Sequence, residues 1–141
     1  DPLGDDRTFS ADPAVVTRFG QAYVDAFVEA GILPTLKHFP GHGAATGDSH
    51  DGVVTVPPLS QLRQRDLIPY DTLLDDDVAV MVGHMVVPGV TVLGPSSLSS
   101  GIITDLLRTE YGFDGLQLDW STYVPTFSKR ESHWGHRWGQ G

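Results

Sequence analysis

Between Lys37 and His50 the chain gathers one lysine, three histidines and one aspartate into fourteen residues, spaced by three glycines and a proline: Lys37-His38-Phe39-Pro40-Gly41-His42-Gly43-Ala44-Ala45-Thr46-Gly47-Asp48-Ser49-His50. Asp48 and His50 are two apart, so an extended backbone turns both to the same side. A carboxylate beside an imidazole fixes its tautomer and raises its pKa, which suits a general acid working near neutral pH. Lys37 and His38 are donors suited to holding a polar ligand. His38, His42, Asp48 and His50 are also acceptable zinc ligands, although their spacing fits no zinc pattern. A dinucleotide fingerprint and a phosphate-binding loop are excluded on spacing. Thr46 stands where the last glycine of a dinucleotide fingerprint belongs, and no Gly-Lys-Ser/Thr follows.

These residues need a platform, and the flanking sequence supplies one. Ile32-Leu33-Pro34-Thr35-Leu36 is apolar and predicts a strand over 32–38 that delivers Lys37 and His38 at its end. Before it, Asp12 is an N-cap candidate and Pro13 suits a first helical turn. Val15, Val16, Phe19, Tyr23, Phe27 and Val28 recur at helical spacing to about Ala30, and Gly31 is the stop. The aromatic residues of that stripe are expected in the core. Residues 51–58 read as extended, and Leu59 to Leu74 as helical with an interruption at Pro69. Asp75-Asp76-Asp77 is expected to be a solvated turn. Val78-Ala79-Val80-Met81-Val82 predicts a second buried strand ending in Gly83-His84, where His84 either lines a pocket or caps the strand. A loop rich in Gly, Pro and Ser spans 88–100. Ile102 to Tyr111 predicts a helix stopped by Gly112, and Gly115 to Asp119 a third strand. This alternation implies βαβ units and a parallel sheet in an α/β fold. Polar groups at strand C-terminal ends fit a TIM (β/α)8 barrel, of which about three βα units are present; a closed barrel needs about 250 residues.

At 141 residues the chain is sized for one domain. Its net charge of −9 argues against nucleic acid as a partner. It has no cysteine, hence no disulfide and no thiolate chemistry. No apolar run approaches the ~18 residues of a membrane helix, so no membrane association is expected. Three apolar parallel strands leave open edges, and self-association through them is expected. No signal peptide is visible. The chain starts at Asp1 without a methionine and is expected to be a piece of a longer protein, which leaves the compartment unassigned. Composition changes near the end. Residues 1–119 carry 6 Lys/Arg against 17 Asp/Glu, a net −11, whereas 120–141 carry 3 against 1, a net +2, together with all three tryptophans. The expected division is therefore a partial catalytic domain over 1–119 and a divergent basic, Trp-rich tail over 120–141.

Lys37-His38-Phe39-Pro40-Gly41-His42-Gly43, followed by Gly47-Asp48-Ser49-His50, resembles the signature of glycoside hydrolase family 3, in its bacterial β-N-acetylhexosaminidase branch. The resemblance covers residues 1 to about 116, including Arg7-Thr8-Phe9, which matches a segment just before a helix. It implies a TIM-barrel catalytic domain that removes terminal β-linked N-acetylglucosamine from cell-wall muropeptides or chitin-type oligosaccharides, without a cofactor or metal. It also implies a retaining reaction through a covalent glycosyl-enzyme on an aspartate. His50 would be general acid and then base, with Asp48 orienting it. Arg7, Lys37 and His38 would hold sugar hydroxyls; apart from the resemblance, Arg7 reads as a surface cation beside Asp5 and Asp6.

The chain departs from the family pattern after Gly112-Phe113-Asp114-Gly115. Only Leu116, Gln117 and Leu118 separate Gly115 from Asp119, one residue fewer than the family places before its nucleophile. An ungapped match puts Trp120 at that position. Asp119 is the candidate nucleophile only if a bulge or deletion re-aims it, because a one-residue slip in a strand sends a side chain to the other face. Two other readings stand beside the glycosidase: an inactive, truncated carbohydrate-binding fragment, and a metal-dependent hydrolase.

Overall fold

A computed structural model describes residues 8–47, 53–92 and 94–119. Helix α1 spans Pro13–Glu29 and starts where its cap dictates: the Asp12 carboxylate accepts from the Ala14 amide at 2.9 Å. It ends at Ala30, and Gly31 takes the left-handed backbone (φ 73°) that releases the chain toward the sheet. The face that packs is not the aromatic one. Gly20 and Val24 are the buried residues of α1, whereas Phe19, Tyr23 and Phe27 are 47%, 57% and 37% exposed. The expectation that these aromatics belong to the core is therefore corrected. The helix approaches its neighbour through Gly20, where a Cβ would come within 2.8 Å of Leu73 Cδ1, and so turns the bulky stripe to one side.

The main sheet is parallel in the order β1-β3-β5, with β1 at Thr35–Phe39, β3 at Ala79–Val82 and β5 at Gln117–Asp119. β3 is central, and Val80 and Val82 are fully buried, which explains its continuous apolar sequence. A second parallel pair, β2 (Val54–Thr55) with β4 (Met85–Val86), lies beyond the ends of β1 and β3 in the chain. β1 connects to β3 through α2 (Leu59–Leu62) and α3 (Ile68–Leu73). Pro69 does not interrupt a helix. It sits in the first turn of α3, where its missing N–H costs nothing, and the break falls in the turns of 63–67. β3 connects to β5 through a π-helix, Gly101–Glu110, which buries Ile102, Leu106 and Leu107 and is closed by Gly112 at φ 66°. The Arg108 guanidinium donates to the carbonyls of Phe113 and Gly115, both at 2.9 Å, and so guides the chain into β5.

The core lies between the sheet and these helices. Phe39 is fully buried and meets two tyrosine rings edge-on, Tyr70 of α3 at 5.1 Å and Tyr111 after the π-helix at 6.0 Å between centroids. Burial pushes both phenols above their ordinary range. On the surface, a bidentate pair joins Arg63 to Glu110 and holds the glutamate below its usual carboxylate range. Being exposed, that pair contributes little next to the aromatic core. Phe39→Ala is expected to cost about 3–5 kcal/mol, since it empties a fully buried position that meets both Tyr70 and Tyr111. Urea unfolding followed by far-UV circular dichroism measures it, and a change below about 1 kcal/mol would contradict this account of the core.

Candidate functional site

The site begins with a register change. β1 pairs with β3 as Thr35↔Ala79, Leu36↔Val80 and Lys37↔Met81, but the next pair is Phe39↔Val82, so β1 carries one extra residue. Paired residues of adjacent strands point to one side, and consecutive residues alternate. Lys37 therefore shares a face with Met81 and, through the β3–β5 register, with Leu118; Phe39 shares the opposite face with Val82. The second face is the one packed on the helices. On the first, Lys37 is exposed and Met81 and Leu118 are half-buried. This open face is the one that a closed barrel would enclose.

His38 follows at the end of the same strand. Gly83 follows Met81 by two residues, and its amide donates to the Phe39 carbonyl at 2.9 Å, continuing the ladder. A Cβ on Gly83 would lie 2.0 Å from Met85 Cε and 3.0 Å from the Cβ of His38, so glycine here leaves room chiefly for the Met85 side chain. His38 and His42 are both buried, with ring centroids 5.8 Å apart. The peptides Lys37–His38 and Phe39–Pro40 are cis.

The loop that leaves β1 is fastened from below. Gly41 has φ +134°, and a Cβ there would come within 2.3 Å of the Cβ of Asp66. The side chain of Asp66 is largely covered, and its Oδ2 accepts from Arg65 Nε and Nη2 at 2.9 and 2.7 Å. Further on, the Thr46 amide donates to the Thr55 carbonyl at 2.9 Å, and the Thr55 amide returns to Thr46 Oγ1 at 3.1 Å. The loop is thus anchored to β2 just before Asp48. Sequence reasoning missed Asp66, which read as one more polar residue of a helical segment; its only signal was the pair of glycines, Gly41 and Gly43, that it lies against. His84 at the end of β3 places Nδ1 3.0 Å from Ser97 Oγ, tying that strand end to the 3-10 turn Ser96–Leu98.

Of the residues singled out from sequence, Arg7, Asp48 and His50 lie outside the described residues, as does the tail from Trp120 onward. Lys37 lies on the open face, and His38 is buried beside Gly83 at the end of the same strand. Asp119 is placed elsewhere: it pairs with Val82 in an unbroken register that continues from Val80↔Gln117, so it belongs to the face of Phe39. Strand alternation is the physical reason. No bulge in β5 re-aims the carboxylate toward Lys37 among the described residues.

A parallel sheet with crossover helices and polar groups at its strand ends is an α/β architecture, and in a TIM barrel that end of the strands carries the site. The family described as the glycosyl hydrolase family 3 N-terminal domain matches residues 1–124, and the chain belongs to that family. Beta-hexosaminidase LpqI of Mycobacterium tuberculosis is 51% identical over 115 residues, which is 81% of this chain and 29% of that protein. Among solved structures, a family 3 glycosyl hydrolase from Mycobacterium smegmatis superposes with a TM-score of 0.78 at 53% identity, covering 84% of this chain and 38% of its own. A family 3 beta-N-acetylglucosaminidase from Paenibacillus gives 0.76 at 38% identity, over 80% and 22%. The chain therefore spans well under half the length of these relatives.

The anchoring of the loop makes a prediction. Gly41→Ala adds both a left-handed strain and a collision with Asp66, for an expected loss of about 1–3 kcal/mol in thermal unfolding. Adding Asp66→Gly to it should recover only part of the loss, because the collision goes and the backbone strain stays. Full recovery would show that φ at Gly41 is not a constraint.

Proposed function

We propose that this chain is a slice of a retaining β-N-acetylhexosaminidase, its residues 1–119 contributing part of the catalytic barrel and 120–141 a divergent tail. The substrate class is a terminal β-linked N-acetylglucosamine, on cell-wall muropeptides or chitin-type oligosaccharides. The observation that carries this reading is that Lys37, on the open face, and His38, beside Gly83, stand at the C-terminal end of β1, the end where such barrels bind substrate. An ammonium and an imidazole so placed can hold sugar hydroxyls and fix the anomeric carbon for attack. The names of the relatives support the sugar. In this reading Arg7 adds a further hydroxyl contact. His50, oriented by Asp48, protonates the leaving oxygen and then activates water, in place of a second carboxylate. The nucleophile in this reading is Asp119, which can attack only when its strand is re-aimed to the face of Lys37.

A second reading has its own observation. With Asp119 on the helix-facing side, this chain is a carbohydrate-binding fragment without turnover. On either reading the 141-residue chain is expected to hydrolyse an aryl β-N-acetylglucosaminide weakly or not at all. Inserting one residue between Gly115 and Asp119 moves the carboxylate to the face of Lys37, yet activity should return only when further barrel strands are also supplied. Robust turnover by the unaltered chain in a fluorogenic assay would overturn the placement of Asp119.

The acid–base assignment is tested separately, in a full-length relative carrying this loop. His50→Ala should lower turnover by roughly 10²–10⁴-fold while leaving sugar affinity nearly intact. A substrate with a strongly acidic leaving group needs less protonation and should be partly spared. Unchanged turnover of an alkyl glycoside would remove His50 from the mechanism.

A further inference from the structure

The carboxylate beneath the loop that leaves β1 has no part in the proposed chemistry, yet its contacts lead to His38. Only 7% of the Asp66 side chain is exposed. Its Oδ2 is committed to the Arg65 fork, which leaves Cβ, Cγ and Oδ1 against the loop. A Cβ on Gly41 would lie 2.3, 3.0 and 3.2 Å from these three atoms, and a Cβ on Gly43 would lie 3.3 Å from Oδ1. The side chain is thus seated under the backbone on either side of His42. That backbone is in turn fixed to His38. The Gly41 amide donates to the His38 carbonyl at 2.8 Å, and the His42 ring lies 5.8 Å from the His38 ring at a tilt of 54°. Both imidazoles are buried, so their places are set by what packs against them.

We infer that Asp66 is a positioning residue for sugar binding: it buttresses the turn of Gly41, His42 and Gly43, and that turn holds the His38 imidazole at the end of β1. This role rests on the reading of His38 as a sugar-holding residue and extends it to a side chain in the turns between α2 and α3. The two glycines that admit the carboxylate also leave the turn pliant, so its shape depends on an outside support. Binding is sensitive to that shape. A misplacement of about 1 Å caused by a change away from the ligand costs up to about 10²-fold. The support is one of shape and not of charge, because the atoms against Gly41 are Cβ, Cγ and Oδ1, which asparagine also has.

Titration with N-acetylglucosamine followed by NMR, in a full-length relative carrying Lys37 to Gly43 and Asp66, tests this role through a double-mutant cycle. His38→Ala should weaken the sugar by about tenfold, and Asp66→Ala by about three- to tenfold. The double variant should bind no more than about twofold weaker than His38→Ala alone, since the buttress acts through the imidazole. Asp66→Asn keeps the three contacting atoms and should stay within about twofold of the parent. Gly43→Ala presses on Oδ1 from the turn and serves in the cycle where Asp66→Ala does not fold. It should cost about twofold or more, a loss absent in the His38→Ala background. Lowered stability with unchanged affinity would leave Asp66 a purely structural residue and overturn the proposal. So would additive losses in the cycle, or Asp66→Asn binding as weakly as Asp66→Ala. Unchanged affinity in His38→Ala is a different failure: it removes His38 from the sugar site, and the role of its buttress with it.

Discussion

The extra residue of β1 between Lys37 and Phe39 governs the arrangement of everything around it. A regular strand would send Lys37 and Phe39 to the same face, and one of them would be misplaced. Either an ammonium would be buried among Tyr70 and Tyr111, or the largest core side chain would stand on the open face. With the pairing moved by one residue, Phe39 enters the aromatic core and Lys37 keeps the face of Met81. His38 then stands at the strand end beside Gly83. Packing and ligand chemistry are separated at a single point of the backbone, and the buried Phe39 ring holds that point in place.

The same alternation rule acts at the other edge of the sheet with the opposite result. β5 pairs with β3 without a shift, so the parity of each residue from Gln117 onward is set by Val80. Asp119 inherits the helix-facing side. One residue of spacing after Gly115 therefore has the same geometric weight as the extra residue in β1, and here nothing compensates for it in the register. Around the site, glycines mark the places where other groups press close. Gly41 admits Asp66 beneath the loop, and Gly83 admits His38 and Met85.

Much of this was legible in the sequence because it depends on local rules. The Asp12 cap, the stops at Gly31 and Gly112, and the apolar run of β3 are short-range signals, and the parallel order follows from the alternation of helices and strands. The family was legible too, in the run from Lys37 to His50. Pro69 was misread because a proline gives the same signal inside a helix and at its start, and only the turns over 63–67 distinguish the two. The aromatic stripe of α1 was misread for a related reason. Periodicity shows that Phe19, Tyr23 and Phe27 share a side of the helix, but not which side meets a neighbour.

What the sequence determined by itself, then, is the α/β alternation of the longer elements and the stretch from Lys37 to His50 that carries the family resemblance. Tertiary structure decided which face each side chain occupies: Lys37 on the open face, Asp119 across the sheet from it, Gly20 and Val24 inward on α1 and its aromatic residues outward. The reason is the same in each case. Which way a side chain points depends on pairing register and on helix–helix approach, and both are set by residues distant in the chain, Val82 for Phe39 and Asp119, and Leu73 for Gly20.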